Sequence, residues 1–398
     1  MSSASLSLAP GKSARDQRLD LARGVMLVII FVAHVPNNLW ADYIPARFGF
    51  SSGAEIFVFC SGIASGLAFG GTFLKKGFAQ GVRRIFKRVA QLYTAHLGSV
   101  LVLGSFALLL DRKVGNDVMA MRYDLVWLRD MPFRGFLDYA TLRYIPAFFD
   151  IMPMYVILLA LVIPAMALAR VSAMLVLAAS LAVWLLMQLV PFHFPGNPVT
   201  GGPWYFNPFA WQFLFFIGFS FGVRWLKAPT RQIPWLFWLS IIYLAVSVPI
   251  NFWGAWSLFP MADAINKAIY PADAITILHI TRLLHFLSLA YVCYSLVDPK
   301  ATWLSHPRLL PLYRIGRNSF GCFLAGLGLS MLGGVVIDHL GLNWTVAHGV
   351  NLCGIALLLL IAYGLDSFDQ RQSKRRLASA EAGGSTVADH RRKTAEIA

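Results

Sequence analysis

The sequence predicts an all-α, polytopic integral membrane bundle of about ten transmembrane helices with both termini in the cytoplasm. Three observations predict it. Of 398 residues, 58% are apolar and only 13% charged, with mean hydropathy +0.62, whereas a soluble domain carries about 25% charged residues. A water-soluble globule, a disordered chain and a coiled coil are excluded on that ground. Apolar runs of about 20 residues, the length that crosses a bilayer, also recur along the chain. The short alternating segments of a β-barrel are missing, so helices are left to satisfy the backbone in lipid. Charge supplies the third observation. With the N-terminus inside, the cytoplasmic side holds 25 Lys and Arg against 8 acidic residues, and the outer loops hold 8 against 10. The positive-inside rule asks for that asymmetry, so the net charge of +15 reports orientation rather than affinity for nucleic acid.

In chain order, residues 1–18 form a polar cytoplasmic segment with no apolar stretch of the kind a cleaved signal peptide needs. The transmembrane domain, 19–366, contains ten apolar spans bounded by charges, Pro and Gly. The first, 21–38, follows Asp20, and the second, 54–73, opens at Gly53 and stops before Lys75 and Lys76. The third, 89–110, follows the basic run Arg83–Arg88. A long outer segment, 111–149, comes next, and Asp150 then opens span 151–169. Span 172–190 opens at Ser172, 208–225 at Asn207 and Pro208, and 234–252 at Pro234. Spans 278–297, 317–337 and 346–365 complete the set, stopping before Asp298, Asp338 and Asp366. The tail 367–398, with Arg371, Lys374, Arg375 and Arg376, is read as a disordered basic end near anionic lipid. Cys60, Cys293, Cys322 and Cys353 lie within apolar spans and suit packing, with no zinc-ligand spacing. Gly62, Gly66 and Gly70, and again Gly218 and Gly222, repeat at the spacing that lets helices approach closely.

Polar groups inside a bilayer are costly and mark either function or a buried partner. Arg23 and His34 are eleven residues apart on the first span. At 100° per residue they lie about 20° apart around the helix, with a rise of about 16 Å. One face thus carries a cation near the inner surface and an imidazole in the outer half. Glu55 opens the second span at a depth like that of His34, where a carboxylate could orient the imidazole as a general base. The competing reading is a buried polar pair that fixes helix register. Arg282 and His285 start the eighth span and could face the same outer cavity, with Arg282 holding an anionic group. A snorkelling arginine and an interfacial histidine read equally well from the pattern, whereas His96, which could line a path in the inner half of the third span, is read as a structural histidine. Asp150, Asn207 and Trp211 could add hydrogen bonds to a polar acceptor. Arg84 and Arg88, within the basic run before the third span, suit the phosphates of a nucleotide-bearing donor or simple positive-inside anchoring. In segment 111–149, arginines and aspartates alternate with Tyr123, Trp127, Phe133 and Tyr139, which suits a sugar or an interfacial anchor. Ser61 lacks the G-x-S-x-G surroundings of a nucleophile, and neither a Walker A sequence nor H-E-x-x-H is present.

Several segments carry a resemblance. They are Arg15–Pro36 (RDQRLDLARGVMLVIIFVAHVP), Phe48–Gly62 (FGFSSGAEIFVFCSG), Gln91–His96 (QLYTAH), Asp150–Tyr155 (DIMPMY), Trp204–Gln212 (WYFNPFAWQ) and Ile315–Phe320 (IGRNSF). Together they resemble the OpgC family, implicated in succinylation of osmoregulated periplasmic glucans and similar in plan to the membrane acyltransferase-3 group. That group carries Arg, ten residues and His in its first helix, which falls here on Arg23 and His34. The resemblance therefore implies His34 as the catalytic residue and Arg23 as a donor contact. The group's paired-Arg motif has its nearest match in Arg84-Ile-Phe-Lys87, with Lys in the second place. The late-helix His common in the group has no counterpart between Gly316 and Ile337.

The expectation is a transmembrane O-acyltransferase of the bacterial inner membrane. It would move an acyl group, succinyl by the resemblance, from cytoplasmic acyl-CoA to a periplasmic glucan hydroxyl. His34 and Glu55 would be catalytic, Arg23, Arg84 and Arg88 would bind the donor, and Arg282, His285, Asp150 and Trp211 would contact the acyl group or acceptor. Acyl-CoA is a co-substrate; no bound cofactor and no metal are expected. The partners are glucan, acyl-CoA and lipid, not nucleic acid, and a homo-oligomer is compatible with the pattern. A transporter of an acylated or acidic solute, using Glu55 and His34 as a proton relay, is the rival class. A non-catalytic component of a glucan-synthesis assembly is the third.

Overall fold

In a computed structural model of the chain, which describes residues 16–229 and 232–395, every extended apolar run forms a helix. Residues 1–15 of the N-terminal segment lie outside the described residues. Among the latter no strand occurs, only a β-bridge between Pro195 and Pro203. Helix α1 (Gln17–His34) starts on Asp16, whose side chain accepts from the Arg18 N–H, and ends where Val35 turns extended before Pro36. Helices α2 (Gly53–Lys76) and α3 (Phe78–Val114) each contain one π-helical turn, at Gly66–Gly70 and Val100–Gly104. They meet at Gly77, whose φ of +85° makes the tight reversal. α4 (Ile151–Leu168), α5 (Ala173–Leu189), α6 (Pro208–Gly222), α7 (Pro234–Asn251) and α8 (Ile280–Leu296) follow. α9 (Ser319–Leu340) is preceded by a short amphipathic helix, Leu310–Arg317. The last helix, α10, begins at Trp344 and runs on to Ala395, through the segment read as a tail.

Among the described residues, six helices are long and apolar enough to cross a membrane: α2, α3, α4, α7, α9 and α10 over Trp344–Gln372. α5, α6 and α8 are apolar but shorter. The chain is a multi-pass membrane protein, with its surface leucines, valines and tryptophans exposed along these helices, as on α7 at Trp235, Trp238 and Ile242.

The core forms around α6, whose Trp211, Phe215 and Phe219 are fully buried. α6 lies against α2 with the two backbones in contact. A Cβ on Gly218 would overlap the Phe59 carbonyl oxygen, and one on Gly62 would overlap the Phe215 carbonyl oxygen. The four-residue glycine spacing is therefore a helix seam. α3 extends one turn beyond the expected end at Leu110, because Asp111 turns inward. Its carboxylate accepts from Met119 N at 2.9 Å and Ala120 N at 2.7 Å, joining α3 to the outer segment.

Candidate active site

His34 is the last residue of α1. Its Nδ1–H donates to the Ile30 carbonyl oxygen at 2.6 Å, an acceptor that cannot donate. That bond fixes the tautomer and leaves the Nε2 lone pair as the basic site. The ring stands edge-on to Phe148, centroids 4.8 Å apart. Phe148 has φ +71°, a left-handed conformation rare outside glycine, and it presses the outer segment onto the histidine. A crevice of about 10 Å³ opens beside His34, lined otherwise by Leu27, Ile30, Phe31, Cys322, Phe323, Gly326 and Leu327.

Glu55 does not meet His34, which corrects the expectation from depth. Its Oε1 lies 2.6 Å from Arg282 Nη2 and accepts from Arg282 Nε at 2.7 Å. Helix rotation is the reason. Gly53 faces α1, where a Cβ would stand 2.9 Å from Met26 Cε and 3.0 Å from Ile30 Cγ1. Two residues on, at 100° each, Glu55 projects from the opposite side, towards α8. Its other oxygen accepts from Ser52 N at 2.8 Å, closing a capping box at the start of α2. Arg282 also donates to Tyr270 Oη at 2.6 Å and to Ser52 Oγ at 3.1 Å. Both ionic side chains are 3% exposed or less. Arg282 is thus engaged within the protein rather than turned to an open outer cavity. His285 is occupied too, with its Nδ1 accepting from Ser51 Oγ at 2.7 Å and its ring packed near Phe50 and Tyr243.

At the other end of α1 lies a cavity of about 400 Å³. Arg23 from α1, Arg88 from α3 and Arg317 from the short helix before α9 all line it, and among the described residues no acidic one does. Ser61, Ser65, Tyr155 and Asn318 add hydrogen-bonding groups among apolar walls. Arg23 Nη2 donates to the Cys60 carbonyl at 3.0 Å, and Arg88 lies over the Phe320 ring at 5.5 Å. Asp20 stands 3.6 Å behind Arg317. Three guanidiniums around a half-apolar chamber can hold a polyanion with an apolar arm. Arg317 was not singled out in the sequence, because only tertiary packing brings it here. A Cβ on Gly316 would overlap the Asp20 carbonyl oxygen, and one on Gly24 the Leu312 carbonyl oxygen, so the short helix seats directly on α1.

The remaining candidates sit apart from these two spaces. Arg84 donates to the Ala68 carbonyl at 2.8 Å and to Thr72 Oγ1 at 2.6 Å and does not line the cavity. Trp211 is fully buried, its Nε1–H on the Ile275 carbonyl at 2.8 Å, and is closed to an acceptor. Asp150 occupies the N-cap position of α4, two residues beyond Phe148, without a capping side-chain bond. His96 is buried against Tyr139, whose hydroxyl lies 2.8 Å from Nδ1. In the outer segment the charges pair largely with one another. Arg129 meets Asp117 and Asp130, each at 2.7 Å, and Trp127 Nε1 donates to Asp138 at 3.0 Å. Arg122 reaches Asp338 on α9 at 2.5 Å. Burial holds the Asp124 carboxyl above the usual carboxylate range.

The family described as OpgC protein has a sequence model that matches residues 15–370, nearly the whole chain. No curated protein and no solved structure matches.

Proposed function

The chain belongs to the OpgC family, whose members are glucan-modifying membrane acyltransferases, and on that premise we propose that it carries acyl groups from cytoplasmic acyl-CoA to a periplasmic glucan hydroxyl. Succinyl is the acyl group that the family points to. In this reading ten helices cross the inner membrane and both termini face the cytoplasm, so Arg23 lies on the donor side and His34 on the acceptor side. Arg23, Arg88 and Arg317 receive the phosphates and nucleotide end of acyl-CoA, and the pantetheine arm extends outward along α1. The observation that carries the proposal is the single face of α1. It holds a guanidinium in an arginine-lined cavity and, about 16 Å further out, an imidazole whose tautomer is set by Ile30.

His34 Nε2 takes the proton of a glucan hydroxyl as its oxygen attacks the thioester carbonyl carbon. The tetrahedral intermediate collapses by breaking the carbon–sulfur bond, and the CoA thiolate takes the proton back from the imidazolium. An O-acyl glucan and free CoA result. The end of a helix favours the transient positive charge on His34. Glu55 and Arg282 contribute as a positioning pair that fixes α2 against α8, not as the partner of His34. The transporter reading loses its motivation, because a relay from Glu55 to His34 needs a contact that the buried ion pair replaces.

Purified protein should release CoA from succinyl-CoA only when a periplasmic-type glucan is present, and His34→Ala should lower that rate by at least a thousandfold while the protein stays folded. Glucan-dependent turnover retained by a folded His34→Ala would overturn the assignment.

A further inference from the structure

The loop before α6 is fastened at both ends and leaves one aromatic residue open between its anchors. Trp204 Nε1 donates to the Leu142 carbonyl at 3.1 Å, and Ile145 N–H donates to the Gly196 carbonyl at 2.7 Å. These bonds tie the loop to the stretch that runs through Phe148 to Asp150. At its other end Asn207 N–H donates to the Thr276 carbonyl at 3.1 Å, which ties it to the loop before α8. Trp204 and Asn207 are 5% exposed or less, yet Tyr205 between them is 48% exposed, an area larger than a hydroxyl presents, so the ring itself is open. Phe206 steadies that ring, with centroids 4.8 Å apart. The Tyr205 hydroxyl lies within electrostatic reach of Asp150, Tyr270, Arg282 and Glu55, which belong to four separate elements. Arg282 and Glu55 are buried, so the open ring looks into a recess and not out from a convex surface. Asp150, half-buried on its rim, stands two residues beyond Phe148, whose ring packs against His34.

We propose that this recess is the subsite for the glucan residue that receives the acyl group, with Tyr205 carrying the apolar face of the sugar ring and Asp150 bonding its hydroxyls. The inference rests on the acyl-transfer reading and adds to it where the acceptor sits and what holds it. The chemistry of the recess selects the ligand. Arg282 spends its donors on Glu55, Ser52 and Tyr270, so it is not free to hold an anion. Asp150 makes no capping bond to α4, and a carboxyl group bonds hydroxyls whether it is ionised or protonated. An aromatic face beside a carboxyl group suits a neutral polyol with one apolar side. A sugar ring is such a ligand, with C–H bonds on its face and hydroxyls at its rim. Position favours the same occupant. Phe148 links Asp150 to His34 over two residues of backbone, whereas the donor arm runs along α1, so acceptor and donor approach His34 from different helices.

Two measurements test this, and neither binding readout needs acyl-CoA. Losing one hydrogen bond to a charged group costs about tenfold or more in affinity. Calorimetry with a periplasmic-type glucan oligosaccharide should therefore show binding that Tyr205→Ala and Asp150→Ala each weaken at least tenfold. Tyr205→Phe, which keeps the ring face, and Asp150→Asn, which still bonds hydroxyls, should recover most of the loss. In turnover the Ala variants should raise the KM for glucan at least tenfold and leave the KM for acyl-CoA within twofold, a split that a general folding defect does not produce. The second measurement uses the unmutated chain. In hydroxyl-radical footprinting read by mass spectrometry, the oligosaccharide should lower labelling of Tyr205 at least threefold relative to Tyr43, an outlying tyrosine that is 60% exposed. No glucan binding by the unmutated chain, unchanged affinity in a folded Tyr205→Ala, or equal protection of Tyr205 and Tyr43 overturns the subsite. A loss confined to the KM for acyl-CoA overturns it as well. Glucan that binds and protects Tyr205 in a folded chain that consumes no acyl-CoA retires the acyl-transfer reading, while the sugar site stands.

Discussion

Arg317 shares its cavity with Arg23 and Arg88, and each guanidinium can hold anionic oxygens through charge-assisted hydrogen bonds. Such a bond is worth about 1.5–3 kcal/mol. Arg317→Ala should therefore raise the KM for acyl-CoA about tenfold or more with kcat within about twofold. A loss confined to kcat would contradict a donor-binding role. Glu55 and Arg282 invite a different experiment. Removing one member of a buried ion pair costs about 3–5 kcal/mol, whereas replacing both by apolar residues of similar size costs far less. Thermal unfolding in detergent should thus show Glu55→Gln and Arg282→Met each strongly destabilised and Glu55→Leu/Arg282→Met recovering much of the loss; additive losses would contradict the pairing. These residues also mark what a sequence discloses. Arg23 and His34 share a face by helical period alone, so their alignment is legible from spacing. Which way Glu55 points depends on which face of α2 meets α1, and Gly53 settles that only in three dimensions.

Helices carry most of the legible information, because apolar length and bounding charge specify them locally, and each of the ten expected runs contains a helix. Their ends are less legible. α3 outlasts its apolar run because Asp111 finds buried backbone donors, a partnership that no local pattern signals. Arg317 was hidden for a related reason. It lies where an apolar run begins, and it shares a cavity with Arg23 because Gly24 and Gly316 admit backbone against backbone. The seam between α2 and α6 was announced by its glycine spacing and gives the clearest stability prediction. Gly218→Leu would drive a side chain into the Phe59 carbonyl, so folded yield and thermal stability in detergent should fall sharply. Gly326→Ala, also in a membrane helix, should leave both nearly unchanged, because a Cβ there meets no atom within 4 Å. Equal tolerance at the two positions would contradict the seam.

On the proposed function the whole molecule is sided, with a donor chamber on one face of the membrane, an acceptor histidine towards the other, and a single helix joining them. The asymmetric charge of the sequence supports that orientation, and the family supplies acyl transfer to a glucan as the chemistry. The most direct measurement is vectorial transfer in oriented proteoliposomes. Acyl-CoA labelled in its acyl group is supplied only on the face bearing the Lys75–Arg88 segment, and glucan only on the opposite face. The account predicts labelled glucan in the opposite compartment, CoA released on the donor side in equal amount, and neither with His34→Ala. Labelled glucan that forms only when donor and acceptor share a compartment, or equally well with His34→Ala, would contradict it.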